Sequence, residues 1–163
     1  MNKWILLVTA ILFSYSTVSG ANDLLEHEKN NSANLVAGVN AWSKGNYILA
    51  HDLLQPLSAE GNSVAQYIIG LMYFRGKVVE KDYKESMKFM NLSAKQGYFL
   101  AEHKLGSIYS GSLLGKPDYR KAIKWFRLSS GQGYAPSQYF LATLYEKGDG
   151  IKQDYIRAHM WFS

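Results

Sequence analysis

Small and apolar residues fall at i, i+4, i+7 and i+8 in three stretches set 36 residues apart: Ala65, Ile69, Met72, Tyr73; Ala101, Leu105, Ile108, Tyr109; Ser137, Leu141, Leu144, Tyr145. That spacing buries one stripe of an α-helix, so each stretch predicts a helix, here termed helix A. A second stripe follows in each period. It starts at the pairs Asp82-Tyr83, Asp118-Tyr119 and Asp154-Tyr155, and places small Ser86, Ala122 and Ala158 three residues before Phe89, Trp125 and Trp161. This is helix B. Gly61, Gly97 and Gly133 keep the same interval and predict left-handed helix terminators. A fixed period of this length marks a solenoid, in which one supersecondary unit is stacked on copies of itself.

Details of the pattern predict local structure. Asp82, Asp118 and Asp154 are placed to cap helix B through their carboxylates, and Glu85 predicts a reciprocal capping box in one copy. Gly70, Gly106 and Ala142 occupy one slot inside helix A. Glycine there costs up to about 1 kcal/mol relative to alanine, so a close backbone approach is expected. The loop Gly148-Asp149-Gly150 is glycine-rich, whereas Val78 and Leu114 stand where Gly150 does. A worn first copy is visible in Ala33 to Trp42 as helix A, then Asn46-Tyr47, Ala50, Leu53 and Gly61. The expected architecture is all-α: a solenoid of about four helix pairs at 33–61, 62–97, 98–133 and 134–163, the last cut short at Ser163 six residues before its glycine. That truncated end is expected to be either continued or covered by another molecule.

The start of the chain reads differently. Lys3, an apolar run from Trp4 to Phe13 and the small polar stretch Ser14 to Ala21 follow the order of a secretory signal peptide, expected over residues 1–21. The run is short for a membrane span of about 20 residues. Residues 22–32 are polar and expected to form a leader or short cap. Export is therefore expected, to the periplasm first and to the exterior as the alternative, with no membrane span left after cleavage.

Charge and chemistry add little to this. The net charge is +5, of which Lys3 is one, and its clusters lie at helical spacing as on a solvated helix face; a surface for acidic partners or anionic envelope polymers is the other reading. There is no cysteine, hence no disulfide framework and no lipoprotein anchor. His27, His51, His103 and His159 form no metal-binding pair on one helix face, and Ser93, Ser129 and Ser130 read as small packing residues rather than nucleophiles. No catalytic residue, metal site or cofactor is expected, and nucleic acid is not an expected partner of an exported chain. The chain is not expected to be an enzyme.

The motifs Ala-x-x-x-Leu-Gly-x-x-Tyr at 101–109, Gly-x-Gly-Ile-x-x-Asp at 148–154 and Asp-x-x-Lys-Ala-x-x-Trp at 118–125 together resemble the Sel1-like repeat family, relatives of the tetratricopeptide class. The resemblance covers about 33–163. It implies a right-handed α-solenoid whose concave face, lined by helix A, holds a protein or peptide. It further implies a non-catalytic adaptor or regulator, in exported bacterial members one of the cell envelope. The helix A slots that vary between copies are the expected partner-binding residues: Gln66, Tyr67 and Phe74; Glu102, His103 and Ser110; Gln138, Tyr139 and Glu146, with Leu71, Ser107 and Thr143 between them. Because aromatic and basic residues are plentiful, a cell-wall module binding peptidoglycan or another glycan is the alternative.

Overall fold

The computed structural model describes residues 3–162, with side chains from residue 23 onward; the side chains of the expected signal segment lie outside the described residues. Eight helices follow one another: α1 (Lys3–Ser43), α2 (Tyr47–Ala59), α3 (Ser63–Arg75), α4 (Tyr83–Lys95), α5 (Phe99–Ser110), α6 (Tyr119–Gly131), α7 (Ala135–Lys147) and α8 (Tyr155–Phe162). Nearly all packing is between helices consecutive in the chain, so the fold is an α-solenoid of helix pairs. Helices A are the end of α1, then α3, α5 and α7; helices B are α2, α4, α6 and α8. Residues 23–32 continue α1 as mostly exposed helical turns, and Asn31 Nδ2 donates to Glu60 Oε2 at 2.7 Å across to the end of α2.

The caps fall where the spacing predicts them. Asp82 Oδ1 accepts from the amides of Lys84 and Glu85, Asp118 Oδ1 from Lys121 and Asp154 Oδ1 from Arg157. Each aspartate amide donates back to the carbonyl of the tyrosine in the last turn of helix A: Asp82 to Tyr73, Asp118 to Tyr109, Asp154 to Tyr145, at 2.7–3.0 Å. This closes the loop. It also corrects the expected capping box, because the Asp82 amide is already engaged and Glu85 turns to Lys88 Nζ at 3.0 Å. Gly61, Gly97 and Gly133 have φ of 98°, 81° and 83°, the left-handed stop. Val78 is held at φ 70°, the value Gly150 adopts in the matching loop, so a β-branched residue sits in a strained conformation.

Helix A meets helix B most closely at the slot of Gly38, Gly70 and Gly106. A Cβ on Gly70 would lie 3.1 Å from Met90 Cε, and one on Gly106 would lie 2.7 Å from two carbons of the Phe126 ring. The residues pressed there, Leu54, Met90 and Phe126, are themselves one period apart and wholly buried. Serines reinforce the contact. Ser86 Oγ donates to the Gly70 carbonyl at 2.8 Å, Ser93 Oγ to Ser63 at 2.7 Å and Ser129 Oγ to Phe99 at 2.9 Å.

Candidate functional site

Side by side, helices A form one face of the solenoid, and its side chains come from positions that neither the cap nor helix B uses. The expected site residues separate into three groups there. Gln66 and Glu102 are buried, only 5% and 3% exposed, and serve as staples. Gln66 Nε2 donates to the Ser58 carbonyl of the previous unit while Gln66 Oε1 accepts from Gln96; Glu102 Oε2 accepts from Gln132 at 2.8 Å. Gln138 donates to the Ser130 carbonyl in the same manner. Gln66 and Glu102 are therefore corrected from partner-binding to structural positions: burial removes them from any surface. Leu71 is likewise buried, within the cluster of Met90, Ala94, Ala101 and Leu105.

A second group is half-buried in the seams between units. Tyr67 packs edge-on to Tyr98 at 5.3 Å, and burial first, then the Tyr98 hydroxyl, pushes its pKa up to about 12, so it remains a neutral donor. Phe74 lies under the Lys104 ammonium, 3.8 Å from Nζ to ring centroid. His103 stands between Tyr134 and Phe140, with Nδ1 2.9 Å from Ser137 Oγ of the next unit. Burial, with the Lys104 charge second, lowers its pKa, so the ring is neutral at neutral pH. Ser110 caps back onto the Ser107 carbonyl. Tyr139 and Glu146 are the third group, fully on the surface, with Tyr139 60% exposed.

Several residues of this face were not singled out by sequence reasoning. Tyr98 and Tyr134 precede α5 and α7, and their rings link Tyr67, Phe99 and His103 into a chain that continues through Phe140 and Tyr139 to Phe162. The signal was present, since both tyrosines keep the 36-residue interval. Phe140, 40% exposed, and Lys104 share a slot beside Tyr139 and His103. Arg75 sits over the Trp42 ring at 5.4 Å. Among the described residues no group of three or more His, Asp or Glu is placed to hold a metal, and no helix is long and apolar enough to cross a membrane. What the face offers is aromatic surface, neutral donors and two cations, which is equipment for holding a ligand.

The Sel1 repeat matches residues 63–98, 100–134 and 135–163, well over half of the sequence. The chain belongs to the Sel1 repeat family. Among solved structures it is similar to a Sel1 repeat protein from Oxalobacter formigenes, with 27% identity and a TM-score of 0.74 over 79% of this chain and 51% of that one. It is also similar to c5321, a protective antigen present in uropathogenic Escherichia coli strains and displaying the same repeat fold, with 30% identity and a TM-score of 0.73 over 81% of this chain and 29% of that one. The chain thus spans about half the length of the first and less than a third of the second. No match was found among curated proteins. Sel1 repeats generally act as scaffolds for protein–protein contact.

Proposed function

We propose that this Sel1 repeat protein is a non-catalytic adaptor of the bacterial cell envelope, exported by its N-terminal segment to the periplasm, that holds a protein or peptide on its helix A face. The observation that carries the reading is the run of rings from Tyr67 to Phe162 along that face, which stays accessible at Tyr139 and Phe140. Aromatic side chains supply large contact area at low entropic cost, and exposed rings beside neutral hydrogen-bonding groups suit a polypeptide better than a small molecule. A groove built from stacked units also lets neighbouring residues of an extended or helical partner meet successive units.

The test is in-cell crosslinking of the tagged chain followed by mass spectrometry, comparing wild type with Tyr139→Ala/Glu146→Lys. Both positions are exposed, so the double variant is expected to melt as the parent does and to lose the captured protein. Capture unchanged in the variant removes the helix A face as the site. Retention of the chain on purified sacculi without a protein partner would favour the glycan-binding alternative.

A further inference from the structure

The seam between the second and third units differs from its neighbours in one respect: it gathers two cations. Arg75 ends α3 and Lys104 lies midway along α5, each resting on an aromatic ring, Trp42 at 5.4 Å and Phe74 at 3.8 Å. In the preceding and following units the Arg75 slot holds Ser43 and Gly111, and the Lys104 slot holds Ile68 and Phe140. Neither cation forms an ion pair among the described residues, whereas Lys88, Lys121 and Arg157 on helices B each pair with a carboxylate one turn away. The Arg75 charge bears on Lys104, and after burial it is the next cause holding the Lys104 pKa below the ordinary lysine value. Phe74, whose ring carries the half-buried Lys104, directly precedes the exposed Arg75, and two neighbouring like charges without a counterion are unfavourable until an anion joins them.

We propose that Arg75, resting on Trp42 of the first unit, and Lys104, resting on Phe74, form the seat for a carboxylate of an acidic peptide segment in the partner. The proposal rests on the reading that helix A holds a protein, and it names the chemistry of that protein. A guanidinium and an ammonium on aromatic floors form charge-assisted bonds to a carboxylate, and the rings exclude water and cover the methylenes behind it. The Tyr67 hydroxyl, close enough for the Arg75 charge to act on it, adds a neutral donor. Charge complementarity is what selects the occupant: among the described residues neither cation has a carboxylate partner.

Fluorescein-labelled hexaglutamate is titrated with the purified full chain, by anisotropy at low salt, against Arg75→Gln/Lys104→Gln and against Lys84→Gln/Lys124→Gln, which removes the same charge from exposed positions on helices B. The seam variant is expected to weaken binding by at least about tenfold and the helix B variant by less than about twofold. Because it removes a like-charge contact, the seam variant is expected to melt no lower than wild type. If it does melt lower, Lys104→Gln alone is compared on the same probe with the same expectation. Equal weakening by both doubles means diffuse electrostatics and overturns the seat. So does absence of hexaglutamate binding, or displacement by inorganic phosphate as readily as by unlabelled hexaglutamate. Protein capture that depends on Tyr139 while hexaglutamate fails to bind would remove the carboxylate seat and leave the adaptor reading standing.

Discussion

Gly106→Ala tests whether the close approach of helix A to helix B sets the stability of the stack. An added methyl would lie 2.7 Å from Cδ1 and Cε1 and 3.0 Å from Cγ of Phe126, distances that require the ring or the helix to move. The ring has nowhere to go. Phe126 is wholly buried, stacks on Phe140 at 5.2 Å with 4° between planes, and tilts against His103 at 5.6 Å. Overpacking of this kind costs about 1–3 kcal/mol, and replacing a mid-helix glycine by alanine returns about 1 kcal/mol. The net expectation is a loss of up to about 2 kcal/mol, read as a lower urea midpoint by circular dichroism at unchanged helicity. Gly70→Ala is the internal control. Its nearest neighbours are the flexible methyl end of Met90 at 3.1 Å and, at 3.3 Å, Phe89 Cβ and the Ser86 carbonyl oxygen, all longer than the contacts at Gly106, so its loss is expected to be smaller by about 1 kcal/mol. Because methionine is the residue that the second unit presses on its glycine, Gly106→Ala/Phe126→Met is expected to be less destabilised than the sum of its two single changes, by about 1 kcal/mol of coupling. A Gly106→Ala protein as stable as wild type, with no coupling to Phe126, would refute the reasoning.

Three other substitutions probe separate features. Glu102 is buried and its carboxyl pKa is raised by burial, an effect that the Gln132 hydrogen bond only partly offsets; the folded state therefore holds the proton more tightly than the unfolded one, and stability falls as pH climbs from the ordinary carboxyl value of 4.5 towards the raised one. Glu102→Gln, the residue of the adjacent units, is expected to unfold later than wild type at neutral pH and together with it well below 4.5, which paired urea titrations check. Val78→Gly removes a left-handed penalty of about 1–2 kcal/mol against an entropic cost of about 0.5–1 kcal/mol, so a gain of about 0.5–1 kcal/mol is expected in the same assay, and a loss would mean that the valine packs usefully. Ser58 Oγ is buried with no hydrogen-bond partner, and Ala94 occupies its slot one unit on; Ser58→Ala is expected to add about 1 kcal/mol, and a decrease would point to a bridging water.

The helices, caps and stops were legible because each depends on residues within a few positions: Asp82, Asp118 and Asp154 for the starts of helix B, and Gly97 and Gly133 for two of the ends. The slot of Gly70 and Gly106 was legible as well, since a glycine tolerated inside two helices needs a reason. Contacts between the two helices of a unit were not. That Asp82 would spend its amide on Tyr73 rather than on Glu85, or that Ser93 and Ser129 would tie helix B to the start of helix A, depends on how the pair closes in space.

The site shows most clearly why. The expected partner-binding residues rest on variation between copies, and among them Tyr139 is an exposed position. Variation misleads where a polar side chain can be exchanged for another that makes the same bond. Gln66 and Glu102 differ in charge, yet each accepts from the glutamine that ends its own helix B, Gln96 or Gln132, so the slot varies without being free. Conversely, Tyr98 and Tyr134 are identical and look like scaffold, although their rings are the links that make the helix A face continuous. In a stacked repeat, constancy reports what every unit must do, and one such task here is to pass an aromatic surface on to the next unit. The informative variation is a change in chemical kind that comes with a change in exposure, as from buried Ile68 to half-buried Lys104 to exposed Phe140, and it is this change that places one cation beside Arg75 in a single seam.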